Sequence, residues 1–165
     1  MLMALVVAVA APSAAQSADE LAPFGWLREL VGACWKGERP DGTAADTQCY
    51  ETQFGRFLRG SIEVHTGETG KLRGDSVWGW DAKRQRIVLT TWASTGPLVA
   101  SEAYFEGEVV RFPVPRREGS TAPESRRSWR RIDATSFSVH VERNEAGEWR
   151  EMQQVTYRRT GSPSR

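Results

Sequence analysis

The chain is poor in the residue types from which most metal and nucleophile sites are built. Its 165 residues include two histidines, two cysteines and three lysines. His65 and His140 are too far apart for a zinc-binding spacing, and Cys34 and Cys49 form no Cys-x-x-Cys pair. There is no Gly-x-Ser-x-Gly elbow and no Walker-type phosphate loop, which removes the commonest hydrolase and nucleotide-binding signatures. Neither sign of charge dominates. With 22 basic and 21 acidic residues the net charge is +1, so no basic excess calls for nucleic acid. Beyond the first fifteen residues no apolar run approaches the roughly 20 residues of a membrane helix, so stable membrane insertion is not expected.

The apolar run that does exist is at the start. Residues 1–15 carry no charged side chain, and Ser13-Ala14-Ala15 puts small residues at −3 and −1 of a signal-peptidase site. The reading is a signal peptide over 1–15, a single domain over 16–165, and a periplasmic or secreted location. In that setting two cysteines are expected to pair. Asp41-Gly42 is a strong hairpin-turn signal. If it is a two-residue loop, strand partners sum to 83, which sets Cys34 opposite Cys49. Antiparallel partners lie about 4.5–5.5 Å apart at Cα, within disulfide range.

What the chain has in quantity is tryptophan, seven residues, and short segments of period two. Leu21, Phe24, Leu27, Leu30 and Val31 recur at helical spacing, with Pro23 near the start and Gly32 at the end. After this short helix the pattern turns to strands, predicted at 33–38, 46–54, 57–65, 71–81, 85–95, 98–106, 108–114, 126–133, 136–143 and 148–159. Gly, Asp and Asn turns separate most of them. Ten short strands joined mostly by tight hairpins predict an all-β protein, an antiparallel up-and-down β-barrel with a short N-terminal helix. The one long connection, 113–125, is proline-rich and reads equally as a lid or as an insertion.

The opening Leu30-Val31-Gly32-Ala33-Cys34-Trp35-Lys36-Gly37-Glu38, followed by a meander of about ten strands, resembles the lipocalin-like (calycin) barrels. It is most similar to small exported bacterial members of unknown function. Gly32 and Trp35 are separated by two residues where the lipocalin motif has one, and no Thr-Asp-Tyr motif occurs mid-chain. The resemblance implies that Gly32 and Trp35 close the barrel floor, with Arg158 or Arg159 packed across the indole as a cation–π pair.

Candidate ligand-binding residues are the strand aromatics Trp78, Trp80, Trp92, Tyr104 and Trp129. They could line a pocket for a small apolar or amphipathic molecule, or simply fill the barrel. Glu51, Glu63, Asp75 and Glu102 could converge for acid–base work, which would make the cavity an isomerase or hydrolase site. A filled barrel would instead suit an envelope interaction module. The run Arg126-Arg127-Ser128-Trp129-Arg130-Arg131 reads as a solvated strand with Trp129 inward, or as a patch for an anionic ligand at the mouth. No cofactor and no catalytic residue is expected. Haem on an inward His140 or His65 is the alternative, depending on which strand face points inward. Nothing in the sequence specifies an oligomeric state.

Overall fold

The computed structural model describes residues 20–66, 70–96, 98–114 and 123–162. The leader 1–15 and most of the 113–125 connection lie outside the described residues, as does the side chain of His65. A 3₁₀ helix, Ala22–Leu30, precedes ten strands. They are β1 (Ala33–Glu38), β2 (Ala44–Gln53), β3 (Phe57–Thr66), β4 (Gly70–Asp81) and β5 (Arg86–Ala93), then β6 (Val99–Glu106), β7 (Val109–Pro113), β8 (Ser125–Asp133), β9 (Ser136–Glu145) and β10 (Glu148–Gly161). Each pairs antiparallel with its sequence neighbours, and β1 returns onto β10 to close the barrel. The predicted all-β, up-and-down barrel is therefore the fold. It is consistent with a lipocalin-like barrel, and closure leaves no sheet edge open.

Period-two alternation sets the two faces. On β9, Phe137 and Val139 pack into the core, while Ser136, Ser138, His140 and Glu142 form the outer row. On β2, Asp46, Gln48 and Tyr50 point inward and Cys49 points outward, its disulfide joining it to Cys34 across the ladder at a Cα separation of 4.0 Å.

The pairing of Cys34 with Cys49 follows the predicted register, but the turn that delivers it differs. The connection is the five residues 39–43, closed by Arg39 N–H to Thr43 O at 2.9 Å and Gly42 N–H to Arg39 O at 2.9 Å. Pro40 sets the first turn dihedral, and Gly42 takes φ +82°, a conformation that favours glycine. This turn displaces the register by one, and a bulge between Lys36 and Glu38 restores it. Gly37 sits in that bulge because nothing larger fits. A Cβ there would lie 2.8 Å from the Tyr157 ring and 2.9 Å from Val155.

The predicted N-terminal helix is present in 3₁₀ form, broken at Gly25, whose φ is +54°. Its buried face, Phe24, Leu27 and Leu30, closes one end of the barrel. Three polar ties hold it there. Trp26 Nε1–H donates to Glu108 O at 2.9 Å, Trp35 Nε1–H donates to Leu30 O at 3.1 Å, and Glu29 pairs with Arg131 at 2.8 Å. Trp35 is 2 % exposed and meets Phe137 edge-on at 5.4 Å.

The expected arginine over the Trp35 ring is not the arrangement found. Arg158 is exposed and pairs in the ladder with Lys36, one residue on from Trp35 and hence on the other face. Among the described residues no cation–π contact involves Trp35. An aromatic neighbour, Phe137, takes that place.

Candidate functional site

The barrel is packed at the helix end and hollow toward the opposite end. From the floor a series of rings rises through the interior. Tyr157 stacks on Phe137 at 4.7 Å, Phe137 on Trp129 at 5.2 Å, and Trp129 meets Phe112 at 5.1 Å and Trp78 at 5.5 Å. Such ring contacts contribute about 0.5–1.5 kcal/mol each beyond their burial. Above them lies a cavity of about 280 Å³. Trp78, Phe112, Trp129, Leu89 and Ile62 give its apolar wall, and Gln48, Tyr50, Ser76, Thr91, Ser101 and Arg127 give its polar points. Pocket and filling are thus two halves of one barrel.

The sequence-selected aromatics divide accordingly. Trp78 and Trp129 line the cavity, and the indole N–H of Trp78 donates to Ser76 Oγ at 2.7 Å. Trp80 shares the inner face but packs against the core instead of lining the hollow. Trp92 and Tyr104 are on the outer face. Trp92 is 39 % exposed, and Tyr104 carries the Arg86 guanidinium 4.5 Å from its ring centre.

One wall of the interior is polar and fully connected. Tyr157 OH donates to Asp46 Oδ2 at 2.8 Å and receives Gln48 Nε2 at 2.9 Å. Gln48 Nε2 also reaches Asp46 Oδ1 at 3.0 Å, and Tyr50 OH donates to Gln48 Oε1 at 2.5 Å. Burial pushes the Asp46 carboxyl above its ordinary range, against the opposing hydrogen bonds from Tyr157 and Gln48. Burial, and then the charge of Asp46, drives both tyrosine hydroxyls well up, so they stay protonated donors.

Arg127 is the cation of this interior. It alternates with Trp129 on β8, and its ladder partners are Phe112 and Val141. Its guanidinium lies 6.0 Å from the centre of the Phe112 ring. The residue lines the cavity yet stays exposed to water at its mouth. Burial lowers its pKa, offset in part by Tyr157 and Tyr50.

Of the four carboxylates proposed for acid–base work, Glu51, Glu63 and Asp75 line one depression beside the disulfide, and Glu102 does not. Glu63 is bound by Lys71 at 2.8 Å and Arg73 at 3.2 Å, Asp75 by Arg59 at 3.4 Å, and Glu102 by Arg84 at 2.6 Å. Glu51 is exposed. That depression, on the outer wall, measures about 570 Å³, and Asp75 borders the interior cavity as well. Its charged side chains largely pair with one another, and it lacks the aromatic lining of the interior.

Two polar networks on the outer wall had no clear sequence signal. Glu142, 7 % exposed, accepts from Ser128, from Arg111 Nη1 at 3.0 Å and from Arg126 Nε at 3.0 Å. Beside it, Ser138 Oγ lies 2.8 Å from His140 Nε2, and His140 Nδ1 contacts the Glu151 carboxylate. The order serine–histidine–acid matches a nucleophile relay, but the exposure runs the wrong way. Ser138 is 5 % exposed, while the Glu151 side chain is 45 % exposed, so the acid faces solvent and the nucleophile does not. The group is a structural network that fixes His140 on the outer face.

Asp46 is the interior residue that sequence reading passed over, and Arg127 entered it only as one member of the basic run 126–131. The usable signal was alternation: Asp46 shares a face with Tyr50, and Arg127 with Trp129. Comparison with protein-family models and with curated proteins finds no match to this chain.

Proposed function

We propose that the protein holds a small apolar or amphipathic molecule in the mouth half of the barrel, without chemistry, in an oxidising compartment outside the cytoplasm. The observation that carries this reading is the 280 Å³ hollow bounded by Trp78, Phe112 and Trp129. A ligand lying on those rings gains about 25 cal/mol per Å² of apolar surface withdrawn from water. The disulfide supports the compartment. Among the described residues no helix is long and apolar enough to cross a membrane. Native mass spectrometry of protein purified from its own host tests the reading, paired with titration of N-phenyl-1-naphthylamine followed by tryptophan fluorescence. A retained small molecule, or saturable quenching that Trp129→Leu weakens, is expected. A bare polypeptide mass together with no quenching overturns it.

A second reading, catalysis in the same cavity, is favoured by Asp46. This partly buried carboxyl with a raised pKa is hydrogen-bonded to Tyr157 and sits behind Gln48 on the cavity wall. Turnover of a retained ligand that Asp46→Asn abolishes, with binding intact, would replace the first reading by this one.

A further inference from the structure

Four arginines stand on β8, and three of them have carboxylate partners. Arg126 and Arg130 pair with Glu142 at 3.0 and 3.5 Å, and Arg131 pairs with Glu29 at 2.8 Å. The same holds for Arg111 on the neighbouring strand, bound to Glu106 and Glu142. Arg127 is the exception. Among the arginines of β8 it alone lines the interior cavity, and among the described residues it forms no ion pair. Of the carboxyls near the hollow, Asp46 is engaged by Tyr157 and Gln48, and Asp75, which also lines it, by Arg59 at 3.4 Å. Arg127 keeps solvent access at the mouth of the hollow, so its donors can exchange water for an anionic group. Its guanidinium, a fork of donors, lies 6.0 Å from the Phe112 ring centre and borders a hollow that Trp78 and Trp129 also line.

We infer that the ligand is a compact organic anion, of the aryl carboxylate class, whose carboxylate pairs with Arg127 while its ring lies among Trp78, Phe112 and Trp129. This rests on the binding reading above and adds the charge and size of the occupant. Carboxylate on guanidinium gives two parallel charge-assisted hydrogen bonds, stronger in an apolar setting than in water. The hydroxyls of Thr91 and Ser101 line the same hollow and offer further donors. Size follows from volume. At about 280 Å³ the cavity falls at the lower edge of the roughly 300–1,000 Å³ of ordinary ligand sites, which suits one or two fused rings.

The test compares two probes of one shape, 1-naphthoate and 1-naphthalenemethanol, by isothermal titration of the disulfide-intact protein. The unaltered protein should bind naphthoate about tenfold or more tightly than the alcohol, the size of a charge-assisted pair. Arg127→Met keeps the aliphatic stem and should erase that preference while leaving the alcohol's affinity nearly unchanged. Arg130→Met, on the outer face, should leave the preference intact. In the unaltered protein, high sodium chloride should weaken naphthoate and not the alcohol, a readout independent of any variant's folding. Equal binding of the two probes, or a preference that survives Arg127→Met, overturns the anion proposal and leaves the binding reading standing. Binding of neither probe overturns both.

Discussion

Glu142 and Glu151 face each other directly across the β9–β10 ladder. Like charges at such a pair destabilise a sheet, and here each carboxylate has partners on its own side. Glu142 is held by Ser128, Arg111, Arg126 and Arg130, and Glu151 by His140. A bulge between Glu151 and Gln153 accompanies the arrangement and leaves Met152 half exposed. Bulges commonly re-aim side chains in this way.

This relationship gives a pH-dependent stability with a definite sign. Burial by itself would raise the Glu142 pKa, but the hydrogen bonds from Ser128 and Arg126 and the charges of Arg126 and Arg111 outweigh it, and the net shift is downward. A depressed folded pKa contributes stability above the unfolded value, about 4.3, that is lost as pH falls through the folded value. Glu142→Gln should therefore destabilise at pH 7 by about 1–3 kcal/mol, the cost of leaving arginines short of an acceptor. Urea denaturation should show the gap from the unaltered protein narrowing below about pH 4.3. A gap independent of pH would remove the charged pairing as its cause.

The disulfide closes a loop of sequence separation 15 between Cys34 and Cys49. Replacing both by serine should lower stability by about 3 kcal/mol in urea titration, since that is the order of the loop's chain entropy. Alkylation of the unreduced protein should find no thiol.

Trp35 is 2 % exposed at the packed end and is tied to Leu30 O. Trp35→Ala should cost roughly 3–5 kcal/mol by thermal or urea unfolding. A cost below about 1 kcal/mol would mean that the floor collapses to fill the gap and that Trp35 is not its keystone.

Gly37→Ala tests close approach instead of backbone strain. Its added methyl would meet Tyr157 and Val155 inside van der Waals contact, so a loss of about 1–3 kcal/mol is expected from overpacking. Tyr157 also anchors Asp46, and tyrosine absorbance in the variant should report a disturbed hydroxyl environment.

The architecture was readable because its signals are local. Turn residues, the change of period after Gly32 and the Cys34–Cys49 arithmetic all lie within a few residues of what they specify. Even there a compensation was hidden: the Pro40–Gly42 turn slips the register and the Gly37 bulge restores it, and the sum to 83 survives both. The site was less readable because it depends on which residues meet across the barrel. Trp92 and Tyr104 look like Trp78 and Trp129 in sequence, yet they sit on the other face. Arg158 or Arg159 was placed on the Trp35 ring by resemblance; alternation turns Arg158 away, and Arg159, the ladder partner of Trp35, is exposed. Asp46 was hidden by its polarity, since an inner face is sought among apolar residues, and Arg127 was not separable from the rest of its basic run.

The β1–β10 seam joins Cys34–Glu38 to Thr156–Gly161, the first strand to the last. Until β10 is in place, β1 and β9 both present bare hydrogen-bonding edges, and the disulfide, which links β1 to β2, does nothing for either. Contacts of such sequence separation form late. The barrel therefore has no stable partial version that grows from its N-terminus. A chain emerging N-terminus first would remain a set of unclosed hairpins until its final strand arrived.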